Sequence, residues 1–253
     1  MHDDQLLRYS RQIMLPEMDI AGQEKLLDAS VLVIGAGGLG CPAAMYLASA
    51  GVGHLTLADH DRVELSNLQR QIGHQTSSIG LSKVASLKET LLQLNPEVKI
   101  TALLEKLAGD TLGMEIKNAD VVLDCTDNFE SRLAINSLSR HYKVPLVSGA
   151  AIRMEAQLSV FDQRDASSPC YQCLYEVDSD MSLSCSESGV MAPLVGIIGS
   201  MQAMEAIKLI AGIGQVASAR LLLLDAASMQ WREMKLQQDP ACPVCNPSRQ
   251  ANQ

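Results

Sequence analysis

Apolar residues are grouped along this chain into short blocks separated by helix-forming stretches. Residues 31–34 (VLVI), a run ending on Asp59 and Asp61, residues 98–103, 119–125 and 144–148 read as strands. The near-continuous run ADVVLDC at 119–125 is what a central parallel strand needs when both of its faces are covered. Between the first two blocks lies an Ala-rich helical stretch, and a further helix opens at Lys83 and runs to about Leu94, where Asn95-Pro96 ends it. Another follows Asn128 and reaches about His141. In GAAIRMEAQLSVF, which follows Ser148, the latter half alternates like an antiparallel or mixed strand, and residues 220–224 and 230–236 supply two more. The pattern predicts an α/β fold with a Rossmann-like, mostly parallel sheet extended by antiparallel or mixed C-terminal strands.

Two segments stand outside this alternation. Residues 1–29 form an N-terminal helical arm, read as two short helices around Leu15 and Pro16, with Leu6, Leu7, Ile13 and Leu15 as docking positions. Residues 162–190 are rich in Ser, Asp and Cys, lack regular spacing, and read as a loop excursion. The stretch at 192–211 is long and apolar, yet Gln202, Glu205 and Lys208 interrupt it. A membrane span needs about 20 predominantly apolar residues with few charges, so a buried or interface helix is expected and no membrane partner.

Composition narrows the function classes. With 253 residues, 47% hydrophobic and 19% charged, the chain can bury a full core. Its formal charge of −9 and lack of a basic cluster exclude a nucleic-acid surface. The start, MHDDQLLRYSRQ, has no positive flank followed by an apolar core, so a cytoplasmic location is the default expectation.

Candidate chemistry concentrates after the strands. Gly35, Gly37 and Gly40, with Gly38 among them, follow the first block and precede a helix. Glycines there allow a sharp turn and let phosphate oxygens reach N–H groups at a helix N-terminus. Asp59 lies at the distance from which an acidic residue holds ribose hydroxyls. This much indicates an adenine nucleotide and does not separate ATP from NAD or FAD. Ser66, Asn67, Gln69 and Arg70 crowd a short turn, and Arg70 and Lys83 are candidates for phosphate oxygens or, alternatively, ordinary surface cations. Asp127, leaving a central strand, is a candidate Mg²⁺ ligand or a plain helix N-cap. Arg8 and Arg11 share a helix face. Of the seven cysteines, Cys170, Cys173, Cys242 and Cys245 form two CxxC pairs separated by residues 174–241. Four thiolates complete a tetrahedral Zn²⁺ shell and leave no open position for water. Such a metal would staple the excursion to the C-terminus. Two unrelated thiol pairs or a redox site are the alternatives.

In order, RYSRQ, GAGGLG, DHDRVELSNLQRQ, SK, DCTDN, CYQC, SGVMAP and CPVC span the chain, and together they resemble the MoeB/ThiF/HesA family, related to ubiquitin-activating enzymes. The resemblance implies a single adenylation domain over residues 1–253. It implies that Gly35, Gly37, Gly38 and Gly40 cradle ATP and that Asp59 holds the ribose. Ser66, Asn67, Leu68, Gln69, Arg70 and Lys83 would line the nucleotide, and Asp127 would bind Mg²⁺ with Asn128 beside it. Arg11 would enter the other subunit's site in a homodimer, and the four CxxC cysteines would hold structural zinc. Cys185 is a candidate nucleophile, since a cysteine near this place forms a covalent intermediate in some relatives. The implied reaction is adenylation of the C-terminal Gly-Gly carboxylate of a small ubiquitin-like sulfur-carrier protein. RMEAQ (153–157) and residues 187–208 look more like the branch serving molybdenum cofactor synthesis than the one serving thiazole formation. An NAD-dependent oxidoreductase would account for the glycines and Asp59 only, and a zinc-stapled binding scaffold would ignore the phosphate-directed groups.

Overall fold

Successive side chains of a strand leave opposite faces of a sheet, and in β1 (Ser30–Ile34) both sets are apolar. Val31 and Val33 enter one core, Leu32 and Ile34 another. Each face therefore requires its own helical layer. In the computed structural model, which describes residues 1–175 and 189–246, the N-terminal arm consists of α1 (Asp3–Arg8), α2 (Ser10–Ile13) and α3 (Asp19–Asp28). Helices α3, α4 (Gly40–Ala50), α5 (Lys83–Leu94) and α8 (Ala192–Ala211) build the core on the Val31 side. Helices α6 (Gly109–Lys117) and α7 (Phe129–Tyr142) build the other.

The strands β2 (His54–Ala58), β3 (Lys99–Leu103), β4 (Val121–Asp124), β5 (Leu146–Ile152), β6 (Glu155–Phe161), β7 (Arg220–Asp225) and β8 (Gln230–Lys235) join β1 in one eight-stranded sheet, ordered β3-β2-β1-β4-β5-β6-β7-β8. Pairing from β3 to β5 is parallel, and from β5 to β8 antiparallel. The expected sheet class is the observed one. The largest boundary difference lies in the strand expected at 144–148, which begins at Leu146 and continues to Ile152, and the chain reverses at Arg153, whose φ of 54° marks a tight hairpin. Helix α6 had no counterpart in the sequence reading.

The arm has one helix more than expected, and the leucines of its first half do not dock it. Tyr9, Met18 and, on α3, Leu26 are buried, while Leu7 and Leu15 are exposed. Tyr9 takes a hydrogen bond from Asn95 Nδ2 at 3.0 Å, and Gln12 donates to Gln23 Oε1 at 2.7 Å and to Ala50 O at 3.0 Å. The excursion after β6 is tied down at its start, because Arg140 on α7 donates to Gln163 Oε1 at 3.0 Å and Ala166 O at 2.8 Å. Cys185 lies outside the described residues.

Helix α8 is long and apolar enough to cross a membrane, but it packs against α4, α3 and strands β4 to β6 as a core helix. Gln202 is fully buried at its centre and donates to the carbonyls of Asp124 at 2.8 Å and Val147 at 3.2 Å. It thereby joins α8 to the strand ends of β4 and β5. Replacing it with leucine deprives two buried carbonyls of a donor. Gln202→Leu is expected to lower the unfolding free energy by about 1–3 kcal/mol in urea titration.

Candidate functional site

The chain leaves β1 toward β2 and β3 on one side and returns to β4 on the other. Open α/β sheets bind ligands at the carboxyl ends of the strands where the order reverses in this way. A cavity of about 410 Å³ lies there, within the usual range of roughly 300–1,000 Å³ for ligand pockets. Its wall includes Gly35, Gly37 and Gly38 after β1, Asp59 and Asp61 after β2, and Cys125 to Asn128 after β4.

The four glycines have separate tasks. Gly35 has φ of +98°, and a Cβ on it would meet the Cys125 carbonyl oxygen at 2.6 Å. A Cβ on Gly40 would lie 1.8 Å from the Gly35 oxygen, so helix α4 closes onto the turn only with glycine there. Gly38 lines the cavity and also lets Val195 of α8 approach, a Cβ there meeting its Cγ2 at 2.9 Å. Gly37 alone has room for a side chain, its nearest neighbour being Gln71 Nε2 at 3.4 Å. It keeps the backbone bare on the cavity side. Helix α4 starts with no side-chain cap, which leaves its positive end for an anion.

Opposed charges cross this cavity. Asp59 accepts the N–H of Ala36 at 2.7 Å on one oxygen and of Asp61 at 2.8 Å on the other. Both oxygens are thereby oriented, and each keeps capacity for a hydroxyl. Lys83 is buried, and its ammonium meets Asp61 Oδ2 at 2.8 Å. Burial, which would raise the Asp61 pKa, is outweighed by the hydrogen bond and charge of Lys83, which hold it below the usual value. Arg70 lines the cavity and donates to Ser66 O at 3.1 Å. Asp127 is exposed on the cavity wall. It does not cap the helix: Asn128 does, accepting the Ser131 N–H at 2.9 Å. That cap leaves the Asp127 carboxylate to face a cation.

The structure thus brings together Gly35, Gly37, Gly38, Asp59, Arg70, Lys83, Asp127 and Asn128 around one cavity. Ser66, Asn67, Leu68 and Gln69 form the turn that carries Arg70 and do not line the cavity. Gly40 supports it from below. Arg11 is exposed on α2 and outside the cavity of its own chain.

Several wall residues escaped the sequence reading. Gln71 is buried and its Oε1 has no partner among the described residues, an acceptor that suits a ligand hydroxyl or amine. Arg132 is buried and stays charged: burial would lower its pKa, but Asp124 and Tyr171 together raise it. Asp124 is a structural carboxylate, accepting from Thr126 Oγ1 at 2.7 Å and Ser148 Oγ at 2.8 Å. Beneath the glycine turn, His74 joins Ala36 O at 2.9 Å to Ser86 Oγ at 3.0 Å, and burial lowers its pKa, so the ring is a neutral brace. His74 and Asp124 take these roles with neighbours distant in sequence, Ala36 and Ser148, and such pairings leave no spacing signal.

The cysteines form a second centre. Cys170, Cys173, Cys242 and Cys245 have all four sulfurs within 4.8 Å of one another. Cys170 and Cys242 are 3.6 Å apart, as are Cys173 and Cys245, and Cys170 and Cys173 are 3.9 Å apart. A tetrahedral ion with Zn–S bonds of about 2.3 Å places its sulfurs about 3.8 Å apart. The cluster fits zinc and draws together the excursion and the C-terminal segment. Cys41 and Cys125 are buried and unpaired with it, and burial pushes the Cys41 thiol up to about 12.

The model of the ThiF family matches residues 9–244. Molybdopterin-synthase adenylyltransferase of Escherichia coli is 52% identical over 96% of this chain and 97% of its own length. Sulfur carrier protein ThiS adenylyltransferase of the same organism is 46% identical over 98% of each chain. Among solved structures, E. coli MccB with ATP superposes with a TM-score of 0.81 at 21% identity, covering 94% of this chain and 73% of that one. At that identity the likeness concerns the fold alone.

The glycine roles separate under substitution. Gly40→Ala, which drives a methyl into the Gly35 carbonyl, is expected to cost about 2 kcal/mol or more of unfolding free energy. Gly37→Ala is expected to stay within about 0.5 kcal/mol of the parent in the same urea titration.

Proposed function

The chain belongs to the ThiF family, and from that premise we propose that it uses ATP to adenylate the C-terminal glycine of a small ubiquitin-like sulfur-carrier protein in molybdenum cofactor biosynthesis. The carrying observation is a near-full-length likeness to molybdopterin-synthase adenylyltransferase in a chain whose cavity combines a bare glycine turn with Arg70, Lys83 and Asp127. The high identity to ThiS adenylyltransferase supports a second reading, activation of a thiazole-pathway carrier.

In this reading the carrier's carboxylate is the nucleophile and, being ionised at neutral pH, needs no general base. It attacks the α-phosphorus in line, the bond to the bridging oxygen breaks, and pyrophosphate leaves with that electron pair. An acyl-adenylate remains on the carrier. The protein's work is positioning and charge compensation, because a polyanion and a carboxylate must meet. Gly37 and the start of α4 receive phosphate oxygens, and Asp59 accepts ribose hydroxyls. Lys83 and Arg70 oppose the charge on the phosphates. Asp61 holds Lys83 in its buried position until then. Asp127 and the Asn128 side of the loop are the residues that would hold Mg²⁺, whose chemistry is neutralisation of phosphate charge. An oxidoreductase reading gives these cations no task.

Arg11 is proposed to act across a homodimer. Its exposure and its absence from the cavity wall of its own chain support that reading, as do Leu7 and Leu15, exposed on the same arm. The cysteine cluster is proposed to carry structural zinc. Cys185 remains a proposed nucleophile for sulfur handling, with adenylation independent of it.

ATP–pyrophosphate exchange with purified carriers tests the reaction. Exchange is expected with a molybdopterin-type carrier ending in Gly-Gly and more weakly with a thiazole-type carrier; exchange with neither sinks the proposal. Arg11→Ala and Asp127→Ala are each expected to lose at least about a hundredfold in exchange rate. Mixed dimers of the two should recover part of it, since one site keeps both residues, and verified mixed dimers without recovery would refute the crossing arginine. Atomic absorption on chelator-free preparations is expected to find about one zinc per chain, and Cys242→Ser to reduce both metal content and melting temperature.

A further inference from the structure

Helix α7 touches the metal centre and the nucleotide cavity with one face. Arg132 and Asn136 stand one turn apart on it, so their side chains share a stripe, and both are buried. At the metal end, Asn136 accepts the Tyr171 N–H at 2.8 Å on Oδ1 and donates from Nδ2 to the Cys170 sulfur at 3.4 Å. At the cavity end, Arg132 donates to the carbonyl of Thr126 and, at 3.1 Å, to that of Gly149, with Asp124 Oδ2 3.8 Å from its other terminal nitrogen. Thr126 is the residue before Asp127, and Asn128 caps the same helix.

Tyr171 links the two ends directly. Its ring centroid lies 6.0 Å from that of Phe129, the first residue of α7, and 4.8 Å from that of Tyr175. A ligand's hydrogen-bond partner orients it and in turn is oriented by it. An ion among the four sulfurs fixes Cys170, hence Asn136 and Tyr171, hence the stripe of α7 that carries Arg132. Arg132 then fixes the carbonyl beside Asp127. Buried polar groups in such a chain have few alternative partners, so displacement at one end is transmitted to the other.

We propose that Asn136 and Arg132 are positioning residues that couple metal loading of the four-cysteine staple to the placement of the Asp127 loop. Metal loss then loosens the nucleotide cavity while the β1–β2 core stays closed. The idea rests on the reading of residues 126–128 as a wall of the nucleotide site.

Hydrogen exchange by mass spectrometry on the full chain, zinc-loaded and chelated, without nucleotide, tests the coupling. In the wild type, chelation is expected to speed exchange in peptides spanning 126–135 by about tenfold, with β1 and β2 peptides unchanged. In zinc-loaded Asn136→Ala those peptides are expected to exchange faster already, and chelation to add less than about twofold. No acceleration in the wild type, acceleration shared equally by β1 and β2, or a variant that responds as the wild type does would each overturn the proposal. Should Asn136→Ala fail to fold, Asn136→Asp keeps the acceptor for the Tyr171 N–H and removes the donor to the Cys170 sulfur. Its response to chelation at 126–135 is expected to fall to about half, and a full response overturns the link through Asn136. ATP added to the loaded wild type is a separate arm, expected to slow exchange at 35–41 and 126–131. Its failure would count against the nucleotide reading and leave the chelation result standing.

Discussion

The closure of helix α4 onto the turn after β1 is the contact on which the site depends. Gly40 must lie against the Gly35 carbonyl, and Gly35 against the Cys125 carbonyl at the end of β4. Those two approaches bring the uncapped end of a helix to the point where two neighbouring strands diverge. The strand register supplies the rest, since Ile34 pairs with both Ala58 and Asp124. Three strand ends therefore deliver Gly35, Asp59 and Cys125 to one level, and the residues just beyond them become the walls of a cavity.

Charge in that cavity is arranged so that each buried cation has a counter-ion before any ligand arrives. Lys83 is buried against Asp61, and Arg132 against Asp124. A buried cation without a partner would be costly, so the acidic neighbours are conditions of burial as much as parts of the site. The two pairs differ in use. Asp61 is partly exposed and can release its lysine toward a phosphate, whereas Asp124 is saturated by Thr126, Ser148 and Arg132 and holds the loop in shape. Asp127, three positions later, is left free of such duties because Asn128 takes the cap.

The cysteine cluster answers a different problem. After β6 the chain leaves the regular alternation, and the C-terminal segment beyond β8 has little apolar surface to anchor it, every residue of β8 being exposed. Four sulfurs gathered from both segments substitute for a core there. Because Asn136 contacts the cluster and Arg132 contacts the 126–128 loop of the cavity wall from the same helix, the cluster is not remote from the cavity.

The sequence by itself determined the sheet class, the glycine turn, the cavity-lining residues Asp59, Arg70, Lys83 and Asp127, and the four clustered cysteines. These are legible because local spacing carries them: a two-faced apolar strand, a turn that needs glycine, and thiol pairs set on single turns. The family likeness was legible for the same reason, since its motifs are short and ordered. Only the tertiary structure decided that Ser66 to Gln69 carry Arg70 without lining the cavity, that Asn128 displaces Asp127 from the cap, and that Gln71, Asp61, His74 and Arg132 belong to the site. The cap is local, but Asp127 and Asn128 offer the same capping chemistry and only the backbone geometry selects between them. Lys83 meets Asp61, His74 meets Ala36 and Arg132 meets Gly149 through strand order and helix packing, and a hydrogen bond between residues far apart in the chain leaves no periodic trace in the sequence.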